Sequence, residues 1–76
     1  MERAVLLEHL SAAKRHAEAG KLHIEAQKRI IDDLVAAGLD TFQARHLLKL
    51  FEQTQDNHLD HVNRILDELD KLPTSS

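Results

Sequence analysis

A chain of 76 residues makes one domain at most, and at this size folding buries too small a fraction of the surface for comfortable stability without a supplement. There is no cysteine, so neither disulfides nor thiolate zinc sites can provide it, and oligomerisation is the remaining route. The net charge is -3, with Lys and Arg scattered among Asp and Glu, and Phe42 and Phe51 are the only aromatics, a composition that argues against a nucleic-acid partner.

The first ten residues, MERAVLLEHL, mix acid, base and apolar side chains. They fit neither a secretory signal nor a membrane span, so a cytoplasmic protein is expected. Apolar residues then recur at three- and four-residue steps from Leu6 to Leu34, which predicts a helix over about residues 2–37. Next comes AAGLDTFQ, residues 36–43. Gly38 suits the left-handed position just past a helix end, and Leu39 can fold back onto Leu34. Asp40 fits an N-cap, with Gln43 three residues on in the capping-box place, so the turn is expected over about 38–40.

A second helix is expected over about 41–72, followed by Pro73 and a polar, frayed tail to residue 76. No stretch alternates strictly, so no strand is predicted. A connection this short forces the helices to lie antiparallel. The expected fold class is therefore all-α, an antiparallel two-helix hairpin.

A seven-residue repeat organises both helices. In the first, a central column of Leu6, Ala13, Gly20, Gln27 and Leu34 is flanked by His9, His16, His23, Ile30 and Ala37 on one side, and by Leu10, Ala17, Ile24 and Ile31 on the other. In the second, Leu48, Gln55, Val62 and Leu69 are flanked by Phe51, His58, Ile65 and Leu72, and by Leu59 and Leu66. Three columns exceed what a two-stranded contact needs. One hairpin cannot cover two such faces, so a homodimer forming an antiparallel four-helix bundle is expected.

The middle of each helix is polar where its ends are leucine-rich. HAEAGKLHIEAQ, residues 16–27, and EQTQDNH, residues 52–58, place His16, Gly20, His23, Gln27, Gln55 and His58 in the inner columns. With a turn centred near Leu39, facing residues have numbers that sum to about 78 in antiparallel geometry. Gly20 then faces His58, His23 faces Gln55 and Gln27 faces Phe51. Glycine inside a helix costs about 1 kcal/mol against alanine, which suggests that another side chain, His58 first, uses the space at Gly20.

Three readings of this belt follow. The bland one is a sheltered network of His16, His23, Gln27, Gln55 and His58 that fixes register, as buried polar residues do in coiled coils. The second is a ligand site, in which His23 and His58 from two chains, with His61 one turn beyond His58, hold zinc, copper, nickel or haem through neutral imidazoles. No carboxylate lies in the inner columns and the Glu-x-x-His pattern of di-iron bundles is missing, which disfavours that subclass. The third is phosphotransfer at Glu8-His9 or Asp60-His61, but neither sits in a recognisable phosphotransfer box. His46 and His61 read as solvated flank residues, and Glu25–Arg29 and Arg64–Glu68 as ordinary surface pairs.

Phosphate-binding loops, nucleophile elbows and facing acid pairs are missing, so an enzyme is not expected and no cofactor is required. The segment HAEAGKLHIEAQKRIIDDLVAAGLDTFQARHLLKLFEQTQDNH resembles a group of short uncharacterised proteins of alphaproteobacteria. They share a His, Gly, His-Ile and Gln stretch, a Gly-x-Asp-Thr turn and a Leu-Leu-x-x-Phe-Glu-x-x-Gln-x-x-His segment. The resemblance spans most of the chain and implies a bacterial cytoplasm, with no activity, cofactor or partner attached. The expected function is that of a small non-enzymatic protein that dimerises and acts through protein–protein contact. No membrane or nucleic-acid partner is anticipated.

Overall fold

The computed structural model describes residues 2–73 and contains two helices, α1 over Arg3–Ala36 and α2 over Phe42–Asp70, packed against each other as an antiparallel hairpin. The expected tail residues Thr74, Ser75 and Ser76 lie outside the described residues. The molecule is a rod of 61 × 14 × 12 Å. Among the described residues no helix is long and apolar enough to cross a membrane.

The end of α1 follows from Gly38, whose φ of 70° lies in the left-handed region. Its N–H donates to the Val35 carbonyl at 3.0 Å, and the Leu39 N–H donates to the Leu34 carbonyl at 2.9 Å. These two bonds form a Schellman motif, which satisfies carbonyls that the helix end would leave open. Leu39 thus returns to Leu34 through its backbone, while its side chain remains exposed.

The start of α2 differs from the capping box that the sequence suggested. Thr41 holds the N-cap position, and the Asp40 carboxylate accepts the Phe42 N–H at 3.0 Å from one residue further back. Among the described residues Gln43 makes no side-chain hydrogen bond, so the reciprocal half of the box is missing. The Thr41 hydroxyl instead accepts Arg45 Nε at 2.9 Å. Asp40 still supplies a negative charge and an acceptor at a helix start, where free N–H groups need both.

The hairpin closes on two of the three predicted columns in each helix. Leu6, Leu10 and Ala13 of α1 and Ile65 of α2 form a buried apolar cluster near the free ends, with Val62, Leu69 and Leu72 packed against it. Toward the turn, Ile31 is buried and Leu34 half-buried. Between these apolar ends lies Gln27, the one buried polar residue described, only 6 % exposed. The leftover column of α1, His9, His16, His23 and Ile30, stays exposed on one side. So do Leu59 and Leu66 of α2, at 47 % and 43 %.

Gly20 lies beside His58, as expected, and beside Gln55. Elsewhere the register is lower than expected: Ala17 meets Gln55, Gln27 meets Ala44, His16 meets His58 and His23 meets Phe51, pairs whose numbers sum to 71–74. These pairs set α2 about one helical turn lower against α1 than a symmetric turn would. Gln27 therefore meets Ala44 instead of Phe51, and His23 meets Phe51 instead of Gln55. The expected surface pairs Glu25–Arg29 and Arg64–Glu68 do not close. Lys71 reaches Asp67 at 2.9 Å, on side chains exposed enough that the pair adds little.

An added Cβ at Gly38 would meet nothing within 4 Å, so the site constrains side chains through backbone conformation alone. Gly38→Ala should lower the unfolding free energy by about 1–2 kcal/mol in chemical denaturation, the cost of a left-handed non-glycine residue. Gly38→Asn should recover part of that loss, and equal stability of all three proteins would contradict the motif.

Candidate functional site

Halfway along the rod, α1 presents Ala17 and Gly20 to α2, and α2 answers with Gln55 and His58. Gly20 and Asp56 stand at the midpoints of Arg3–Ala36 and Phe42–Asp70, so this layer is the waist of the hairpin. The Gln55 amide crosses to the other helix and donates from Nε2 to the Ala17 carbonyl at 2.7 Å. That carbonyl already serves α1, and it can take a second bond only because Ala17 and Gly20 are small enough to let the amide in.

A Cβ added at Gly20 would overlap Gln55 Oε1, lie 3.0 Å from Gln55 Cδ and 3.3 Å from His58 Nδ1. The missing side chain at Gly20 thus makes room first for Gln55 and only then for His58, which corrects the order expected from the sequence. Gln27 repeats the device nearer the turn, donating from Nε2 to the Ala44 carbonyl at 2.9 Å. The belt is therefore not a closed ring of imidazoles and amides. Both glutamines clasp the opposite backbone, and among the described residues no buried side-chain nitrogen or oxygen lacks a partner.

His58 sits beside this clasp, with Nδ1 at 3.4 Å from Gln55 Oε1, the long end of hydrogen-bond range. Only the NH2 group of an amide can donate to a carbonyl, so the bond to Ala17 fixes which end of Gln55 faces His58. An amide oxygen can only accept. A hydrogen bond to this oxygen requires the Nδ1–H tautomer of the neutral His58 ring, with the lone pair on Nε2.

On the open side of this layer lies a groove of about 290 Å³ lined by His16, Ala19, Gly20, His23, Phe51, Thr54 and His58. The His16 and His58 rings face each other across it, centroids 5.9 Å apart and planes tilted by 42°. His23 instead packs on Phe51, also at 5.9 Å. His16 and His23 are exposed and His58 is half-buried, so within one hairpin the three rings are not sheltered as the sequence suggested. The cause is the choice of columns: the hairpin buries the Leu10, Ala17, Ile24 and Ile31 flank of α1 and leaves the histidine flank outside.

Of the metal set named from sequence, His23 and His58 line the same groove and exposed His61 does not; the ring paired with His58 is that of His16. Among the described residues, no three His, Cys, Asp or Glu side chains converge on a metal position within one chain. His9 and His46 are exposed, the latter beside Phe42 and Arg45 on another surface.

Ala19 and Thr54 were not singled out by column analysis, yet both line the groove. A signal for Ala19 lies in the sequence: His9-Ala12, His16-Ala19 and His23-Ala26 repeat every seven residues, a second heptad stripe beside the one that faces α2. The groove lining holds no Asp, Glu, Lys or Arg. The opposite side of the waist carries Lys14, Glu18 and Lys21 around Ala17, Gln55, Leu59 and Val62. One side of the rod is thus uncharged at mid-height and the other is charged.

Two outcomes test the clasp. Gly20→Ala should destabilise the protein by about 1–3 kcal/mol through overpacking, even though alanine is the better helix former. In a double-mutant cycle with Gln55→Ala that penalty should largely vanish, because the clashing amide is gone; strictly additive effects would contradict the geometry. Long-range ¹H–¹⁵N spectra should show neutral His58 as the Nδ1–H tautomer, and an Nε2–H signature would break the link to Gln55.

No protein-family model, no curated protein and no solved structure matches the chain.

Proposed function

With geometry as the sole guide to function, we propose that this chain is a self-associating helical hairpin. Two copies pair through the uncharged histidine–alanine face into an antiparallel four-helix bundle, a small non-enzymatic module that works by offering a rigid helical surface to other proteins in the cytoplasm.

The observation that carries this reading is the surface left open. At 8.6 kDa the hairpin exposes 5898 Å². A compact monomer of that mass exposes about 4700 Å², so the hairpin shows roughly 1200 Å² more. That surplus matches what one partner contributes to an interface of about 2000 Å² or more, the size of permanent dimers. Its chemistry agrees. Ile30, Leu47 and Leu50 are all 40 % exposed or more. Ala12, Ala19 and Ala26 form a narrow column beside the histidines, against which a second helix can approach closely.

A two-fold arrangement explains why this face and not the other is used. An isologous interface sets each residue near its own copy around the axis, so like charges there repel. The face with Lys14 and Lys21 carries such charges at mid-height and the groove face does not. A fully overlapped pair places the axis at the waist, beside His16, Ala19 and His58.

Light scattering coupled to size exclusion should give twice the chain mass at micromolar concentration. Ala19→Glu puts a good helix former and a charge at the centre of the face, and should raise the dimer dissociation constant at least about tenfold, equivalent to 1.4 kcal/mol. Lys21→Glu on the opposite side should leave it within about twofold. A monomer at all concentrations, or a dimer that Ala19→Glu does not weaken, would overturn the proposal.

A further inference from the structure

We propose that the waist binds one first-row divalent transition ion, zinc or copper, held between two copies of the chain by His16 and His58 of each. The inference rests on the dimer described above and assigns a ligand to its centre.

Three observations combine. The first is ring placement: two imidazoles bound to one ion through bonds of ~2.1 Å at a tetrahedral angle have centroids about 5 Å apart. His16 and His58 stand at 5.9 Å across an open groove, so small side-chain rotations bring them to that spacing. The second is the neighbour of His58. Gln55 Oε1 stands 3.4 Å from His58 Nδ1, placed to accept its N–H when Nε2 binds an ion, and Gln55 is itself held by the Ala17 carbonyl. A ligating imidazole whose other nitrogen donates to an oriented oxygen is the usual supporting arrangement around bound zinc or copper.

The third is position. Among the described residues of one hairpin, no three His, Cys, Asp or Glu side chains converge on an ion, so His16 and His58 stand as a pair. The waist coincides with the midpoints of both helices, so the axis of a fully overlapped pair runs beside it and doubles the set to four. Four imidazoles without thiolate or carboxylate suit zinc, copper or nickel and do not suit magnesium or calcium, which take oxygen ligands. His23 stays on Phe51 and is outside the set.

The test is calorimetric titration of the chelator-treated full-length protein with zinc chloride, followed by native mass spectrometry. Saturable uptake of one ion per two chains is expected. His16→Ala, at an exposed position, should weaken it at least tenfold, and His58→Ala should do the same, both with an unchanged circular dichroism spectrum. His46→Ala should leave uptake as it was. A dimer that takes up no zinc, or takes it up equally well without His16, would overturn this proposal and leave the dimer standing. A chain that stays monomeric with and without zinc would overturn the dimer, and this site with it.

Discussion

The hairpin depends on a single accommodation, the Gln55 amide seated where Gly20 has no side chain. A helix-interior glycine is unfavourable by itself, and an amide placed between two helices is unfavourable unless its polar atoms are satisfied. Together the two defects cancel. The amide fills the space and donates to the Ala17 carbonyl. Gln27 does the same against Ala44 nearer the turn. Two side chain-to-backbone bonds at different heights pin the register, because a slide of either helix would break both and leave buried amides unsatisfied. An all-apolar contact would impose no such height.

The same accommodation shapes the groove. By fixing which end of Gln55 faces His58, the bond to Ala17 places a hydrogen-bond acceptor beside Nδ1 of that ring. A residue chosen for packing thereby sets the chemistry of its neighbour. The path from Gly20 through Gln55 to His58 crosses from one helix to the other, so only the assembled hairpin possesses it.

Closing the hairpin also sorts the surface. Each helix carries three columns and uses two against its partner. The remaining columns fall on opposite sides, histidines of α1 on one and Leu59 with Leu66 of α2 on the other. The histidine side is uncharged at the waist and flanked by alanines, while the leucine side is studded with Lys14, Glu18 and Lys21. This asymmetry gives a small rod one uncharged side and one charged side at mid-height.

How much was legible beforehand varies by residue. The helix pair and the left-handed glycine came directly from periodicity and from the Gly38 position, since both are local properties of neighbouring residues. Asp40 was rightly marked as a helix-start acceptor, but its place one residue before the cap was not, because cap geometry depends on where the incoming chain runs. Gly20, Gln55 and His58 were marked as one layer, whereas their order of contact was not. Sequence by itself determined that two amphipathic helices fold back on each other with leucine-rich ends and a polar middle. Only the tertiary structure decided which two of three columns close, which histidine meets which, and that the glutamine NH2 groups bond backbone carbonyls of the facing helix. Periodicity specifies the width of a face but not its rotation, and a one-turn stagger re-pairs residues along α2 without changing a letter of the pattern.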